Sequence, residues 1–351
     1  MESNIREKFN EEIMREALKR FGISETSVKK QGGFESFIFE YGKNGKEYIL
    51  RISHSSRRTS DMINGELHWL NYLADNGVPA ARAVESENGR LVEVIEAGDS
   101  YFSAASFEKA RGKAAGAEEW NDRLFEAMGS LVGRMHRLTK AYKPEAQYRR
   151  PEWHEELEGF AEKYLPQSEE AVMVKSRRIL EQMYSLPVNK DNYGLIHIDV
   201  HKGNFFVDNG KITLFDFDDC QYCWFAADIA IVLFYAVPHD CASSEELEKA
   251  RNFYRHFMKG YAAENILDRE ELKHIPLFLK QRELDLYVCV HRSCDLDNLN
   301  KWARSFMKDR KYKILNDIPY VDIDFTERKW TKELSGVLSL PGSPLSNSWR
   351  P

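Results

Sequence analysis

The chain has 351 residues, room for two lobes that each bury a core. Its formal charge is −6, from 50 Lys and Arg against 56 Asp and Glu, so it has no basic footprint and nucleic acid is excluded as the main partner. The longest apolar run, 229–237, falls far short of the roughly 20 residues of a membrane span; the N-terminus is charged and amphipathic rather than a signal peptide, and five scattered cysteines suit a reducing cytoplasm.

Ile5, Phe9, Ile13, Ala17 and Phe21 recur at the spacing of one helical face, and Gly22 stops the pattern. Three antiparallel strands are expected next, at 28–31, 37–39 and 48–52, joined by two Gly-containing turns. Gly32-Gly33 either lets backbone N–H groups approach phosphates closely or simply turns a hairpin. Residues 57–75 read as a helix with Met62, Leu67, Leu70 and Leu73 among its apolar positions. Two more strands, 91–97 and 101–107, complete a small lobe of five strands and one helix over 1–106. The segment 107–112 then crosses to a second lobe, and 111–119, rich in Ala, Gly and charge, reads as linker or loop. Residues 120–140 form an amphipathic helix in which His136 reads as a packing residue; 171–184 form another, ended by Pro187.

The stretch 195–219, LIHIDVHKGNFFVDNGKITLFDFDD, holds the chemistry. Asn209-Gly210 between two apolar runs signals a hairpin, which places His197, Asp199, His201 and Asn204 before one strand and Asp216, Asp218 and Asp219 after the other. Phosphoryl transfer needs this inventory. One carboxylate orients the attacking hydroxyl, here Asp199, and an amide oxygen with a second carboxylate, here Asn204 and Asp216, holds Mg²⁺ on the nucleotide. The bland alternative is a turn in which Asp and Asn only cap backbone groups. The joint occurrence of H-x-D-x-x-x-x-N and D-F-D across one hairpin favours the kinase reading.

These residues resemble the aminoglycoside phosphotransferase-like (phosphotransferase enzyme) family, relatives of choline, homoserine and fructosamine kinases, with H-G-D-x-H-x-x-N followed by I-D-F/W. Here the run is His197-Ile198-Asp199-Val200-His201-Lys202-Gly203-Asn204, then Phe215-Asp216-Phe217-Asp218, with Ile198 in place of the usual Gly. The resemblance implies a bilobal protein-kinase-like α+β fold, a small antiparallel sheet lobe over a mostly helical lobe (113–333), with ATP and Mg²⁺ as cofactors. It places the phosphate-binding cation at Arg51, where most kinases have Lys, and its bracing carboxylate at Glu66. It sets adenine against the backbone of Phe107, Glu108, Lys109 and Ala110, and gives His201 either a γ-phosphate contact or a loop-shaping role. Asp228, at a helix start, would brace the catalytic loop or simply cap its helix.

The acceptor is expected to be a small-molecule hydroxyl compound, amine-bearing ones included, met by acidic residues on late helices (Glu283, Asp285, Asp295, Asp297), by Asp218, or by Tyr222 and Trp224 as stacking surfaces; solvation and core packing are the alternatives. A protein Ser/Thr kinase and a nucleotide-binding scaffold without turnover are the other classes considered. No A-P-E element follows Asp216, and Asp199, Asn204 and Asp216 are all intact. Cys220 and Cys223 read as packed or free thiols rather than a metal site. The Ser-, Pro- and Gly-rich segment 334–351 is expected to be a mobile tail.

Overall fold

The N-terminal apolar stripe forms two helices, not one: α1 (Ser3–Lys8) and α2 (Glu11–Arg20). The break falls at Asn10, whose side chain accepts the Ile13 N–H at 3.0 Å and so starts a new helix. The structure, a computed structural model, describes residues 3–327 except 34, 240 and 242; the expected tail at 334–351 lies outside these residues.

Strands β1 (Val28–Lys30), β2 (Phe37–Lys43) and β3 (Lys46–His54) lead to α3 (Ser60–Asp75), and β4 (Ala83–Val84), β5 (Val92–Ala97) and β6 (Ser100–Glu108) follow. They make one antiparallel sheet in the order β1-β2-β3-β6-β4, with β5 also on β6. The sheet has one more strand than the pattern suggested, because β4 is only two residues long. Helix α3 begins later than its apolar pattern: the Thr59 hydroxyl accepts the Met62 N–H, and Arg57 and Arg58 stay outside the helix.

The second lobe contains α4 (Asp122–Thr139), short α5 (Trp153–Leu157) and α6 (Phe160–Tyr164), and α7 (Glu170–Tyr184). Two small ribbons come next, β7 (Tyr193–Ile196) with β10 (Gln221–Trp224), and β8 (Phe205–Asp208) with β9 (Lys211–Leu214). Asn209 and Gly210 turn the second ribbon with φ of 49° and 78°, the left-handed pair such a tight turn requires. Helix α8 (Phe225–Ala236) is apolar on nearly all sides and is buried accordingly. After it come α9 (Ser244–Ala262), α10 (Arg269–Leu272), α11 (Ile275–Ser293), α12 (Lys301–Met307) and α13 (Arg310–Leu315). No helix among the described residues is long and apolar enough to cross a membrane.

Helices α4 and α9 cross at glycine. A Cβ on Gly129 would lie 1.8 Å from the Phe257 carbonyl oxygen, and one on Gly260 would lie 1.9 Å from that of Glu126, so only glycine permits this approach. The smaller of two cores joins α1 and α2 to the sheet through Phe37, Phe39, Leu50, Ile52 and Phe102. The larger includes Leu67, Trp69, Leu70 and Leu73 of α3 together with α4, α8 and α9. Trp69 Nε1 donates to Thr139 Oγ1 at 3.1 Å, and that hydroxyl donates to the Leu195 carbonyl at 2.9 Å. Helix α3 therefore packs with the second lobe as well as with the sheet, where Asn71 exchanges two hydrogen bonds with Ala83.

Candidate active site

The loop from β7 to β8 is set from below. Asp228, in the first turn of α8, accepts the Ile198 N–H at 2.8 Å and the His197 N–H at 3.4 Å. His136 Nε2 lies 3.0 Å from the same carboxylate, and its Nδ1 lies 2.9 Å from the Tyr261 hydroxyl. Burial lowers the His136 pKa, although Asp228 pulls it back up. Ile198, where the resembling proteins have Gly, takes φ +62°, an unusual value for a β-branched residue. The two N–H bonds to Asp228 hold it there.

Asp199 follows, with both oxygens engaged. Asn204 Nδ2 donates to Oδ2 at 2.9 Å and His201 Nε2 lies 3.2 Å from the same atom; Arg282 Nη2, on α11, donates to Oδ1 at 2.6 Å. Burial pushes the Asp199 pKa up, but the His201 hydrogen bond and the Arg282 charge outweigh it and hold the group below the usual carboxylate value. His201 Nδ1 accepts the Gly203 N–H at 2.9 Å, so both ring nitrogens serve the loop. With its nitrogen given to Asp199, Asn204 keeps Oδ1 as a free acceptor.

Asp216 sits just past β9 at φ +64°, lining the same cleft as Asp199 and Asn204. Burial first, and the neighbouring Asp218 charge second, push its pKa up to about 7. Asp218 Oδ1 is buried without a hydrogen-bond partner. An anion made costly by burial, an orphaned carboxylate oxygen and a free amide oxygen together suit a divalent cation. No cluster of three or more His, Cys, Asp or Glu side chains arranged for a metal exists among the described residues. Mg²⁺ commonly takes one or two carboxylates and completes its shell with phosphate and water oxygens.

The cleft has a volume of about 930 Å³ and runs between the lobes. Arg51 on β3 forms a bidentate pair with Glu66 on α3, at 2.9 and 2.6 Å, with both side chains buried. Its Nε is buried and unpartnered, and Phe107 lies 5.0 Å beneath the guanidinium. Gly32 and Gly33 line the cleft. A Cβ on Gly33 would lie 2.1 Å from the Ser36 carbonyl, whereas Gly32 faces open space. Phe107, Glu108, Lys109 and Ala110 also line it. The Glu108 and Lys109 N–H groups already bond Arg82 and Glu47 carbonyls, while Ala110 donates no backbone–backbone bond among the described residues.

Several expected acceptor residues lie elsewhere. Glu283 is fully buried against Lys280 and Arg310, at 2.5 and 2.6 Å, and does not line the cleft. Trp224 is core, with Nε1 donating to the Pro187 carbonyl and its ring against Trp153, Tyr193 and Phe278. Tyr222, half-buried on β10, is also outside the cleft, as are the exposed Asp295 and Asp297. Asp285 and Asp218 do line it, but both pair with arginine: Asp285 with Arg282 at 3.0 Å, Asp218 with Arg57 at 3.2 Å.

The missed residues are mostly basic. Arg57 and Arg58, in the turn before α3, reach Asp219 at 2.7 and 2.8 Å. Burial raises the Asp219 pKa, but these two charges drive it well below the usual range. Glu35, in the glycine turn, pairs with Arg57 and, across the cleft, with Arg292 at 2.7 Å. Arg282, Cys289 and Arg292, together with the expected Asp285 at i+3, fall at i, i+7 and i+10 of α11 and all line the cleft. That polar stripe on a mixed helix was the available signal.

A family model for the phosphotransferase enzyme family matches residues 29–261. An amicoumacin kinase of Bacillus subtilis (strain 168) is 38% identical over 333 residues, 92% of this chain and 97% of that protein. The solved structure of the amicoumacin kinase hAmiN, in complex with AMP-PNP, Ca²⁺ and Ami, superposes with a TM-score of 0.86 at 34% identity, covering 93% of this chain and 99% of that one. A microcompartment-associated aminopropanol kinase shares the fold at 20% identity, with a TM-score of 0.66 and coverage of 88% and 94%.

Proposed function

The chain belongs to the phosphotransferase enzyme family and is an ATP-dependent small-molecule kinase, and on that premise we propose that it moves the γ-phosphoryl group of ATP, with Mg²⁺, to a hydroxyl of an amicoumacin-type antibiotic. The identity to amicoumacin kinase over nearly the whole of both chains supports the acceptor. The chemistry rests on one observation: Asp199, with Oδ2 fixed by Asn204 and His201, shares a cleft with Asn204 and Asp216.

In this reading 1–106 form the nucleotide lobe, 107–112 the hinge and 113–333 the catalytic and acceptor lobe. Asn204 and Asp216, with Asp218 alongside, would hold the divalent ion, which supplies positive charge against the triphosphate. Arg51, braced by Glu66, offers its unpartnered Nε to the α/β-phosphates. The Ala110 N–H, which donates no backbone bond among the described residues, is a hinge donor for the adenine edge. Asp199 orients the acceptor hydroxyl. As the new O–P bond forms and the bond from Pγ to the ADP oxygen breaks, the hydroxyl proton passes to Asp199 late. The free thiols of all five cysteines support a cytoplasmic location.

The test is ADP release from Mg²⁺–ATP with amicoumacin A, choline, homoserine, an aminoglycoside and a generic protein as acceptors. Amicoumacin-dependent release well above the others supports the acceptor. Release with another small molecule alone overturns the acceptor but not the chemistry. Release with the protein alone overturns both.

A further inference from the structure

Asp199 accepts two donors on Oδ2 but only one, Arg282, on Oδ1. If Asp199 is the base, as proposed above, the acceptor hydroxyl must come to Oδ1, within reach of the Arg282 guanidinium. This arginine is not a surface charge. Its side chain is 14% exposed, it lines the cleft, and its plane is fixed on three sides. Nη2 donates to Asp199 and to the Tyr235 hydroxyl, both at 2.6 Å, and Nη1 donates to Asp285 at 3.0 Å. A guanidinium has five N–H groups. One on Nη1 is uncommitted, and Nε is buried without a partner.

A fixed cation with a spare N–H beside the base discriminates by chemistry. An oxygen on the carbon next to the reacting hydroxyl would meet that Nη1 donor. An ammonium at the same place would face a like charge in a partly desolvated cleft.

We propose that Arg282 is a specificity-determining acceptor contact that selects a hydroxyl flanked by a second oxygen, as in a 1,2-diol or a hydroxy-carbonyl, over a hydroxyl flanked directly by an ammonium. The residue acts in two ways: its Nη2 keeps Asp199 oriented, and the uncommitted N–H on Nη1 reads the neighbouring oxygen. Sites that hydrogen-bond a substrate oxygen reject analogues lacking it, because the site's own polar groups are then left unpaired.

Three fragment acceptors test this with the full chain and Mg²⁺–ATP: 4-amino-1,2-butanediol, 4-amino-1-butanol and 1-amino-2-propanol. ADP release should give kcat/KM for the diol at least about tenfold above either amino alcohol. In Arg282→Gln that preference should fall to within about threefold, with Arg282→Lys intermediate. The KM for ATP and the nucleotide-dependent thermal shift should stay unchanged, which shows the variants folded and the nucleotide half intact. Equal fragment rates, no diol-dependent release, or a preference that survives in Arg282→Gln overturns the proposal. Amicoumacin A assayed alongside reports separately on the acceptor reading. If it is inactive while the diol preference holds and collapses in Arg282→Gln, that reading fails and the role of Arg282 stands.

Discussion

Removing either half of the Arg51–Glu66 pair should have unequal consequences. Arg51→Ala leaves the Glu66 carboxylate fully buried, with no other hydrogen-bond partner among the described residues. Breaking a buried pair this way costs about 3–5 kcal/mol. Glu66→Ala strands Arg51 less completely. Asp218 Oδ1 is 3.9 Å from Nη1, a gross attraction of about 4 kcal/mol at an effective dielectric constant near 20. The Phe107 ring beneath the guanidinium adds about 0.5–2 kcal/mol. Glu66→Ala should therefore cost about 1–3 kcal/mol, roughly 2 kcal/mol less than Arg51→Ala. Arg51→Lys keeps the charge but loses one of two charge-assisted bonds, about 1.5–3 kcal/mol, and should retain ATP binding. Urea unfolding of the nucleotide-free variants at pH 7 measures all three, with the KM for ATP taken in parallel. A Glu66→Ala protein as unstable as Arg51→Ala, or less stable, would refute the idea that Asp218 is the reserve partner.

Asp199→Asn should keep nucleotide-dependent stabilisation but lose at least about 10²-fold in kcat; full turnover would remove Asp199 as the base. Asp216→Ala should abolish the Mg²⁺-dependent part of thermal protection by ATP, which for a saturated site is about 2.7 kcal/mol at a hundredfold excess over Kd; unchanged protection would take Asp216 out of the metal site. Gly129→Ala and Gly260→Ala should each destabilise by about 3 kcal/mol, because a Cβ at either position meets backbone of the opposite helix; a change under about 1 kcal/mol would mean that α4 and α9 separate easily. His136 is buried against Asp228 and Tyr261, with Lys140 nearby, and burial holds it neutral in the folded chain. Its folded pKa lies below the ordinary 6.5, so its contribution is fully present above that value and is lost as the pH falls below it, by up to about 1.4 kcal/mol per pH unit. The urea midpoint should drop between pH 7.5 and 5.5, less steeply in His136→Gln; identical slopes would contradict the assignment.

The parts of the site that could be read in advance were local. Asp199 and Asn204 precede and Asp216 follows one ribbon whose Asn-Gly turn brings its ends together, so their convergence could be read from one short stretch. Arg51 and Glu66 are 15 residues apart and came only through the resemblance. The acceptor wall was illegible for another reason. Successive helical residues turn by about 100°, so Arg282 and Glu283 face different surroundings, and the polar stripe on α11 marks a face without saying what that face looks onto. Glu283 turned into Arg310 and Lys280, and Arg282 into Asp199. Trp224 failed as a stacking surface because α5 and α11, both remote in sequence, close over it. The split of the first helix was written at Asn10, a capping residue the apolar period overrode.

Helix α3 is a tie between the lobes. Trp69 is anchored through Thr139 and touches Phe217, which in turn touches His197, while Asn71 exchanges two hydrogen bonds with Ala83 of β4, at 3.2 and 3.0 Å. Glu66, on the same helix, holds Arg51 of β3. The carboxylate therefore stands at the seam, where any change in how one lobe seats on the other would be felt by one ion pair.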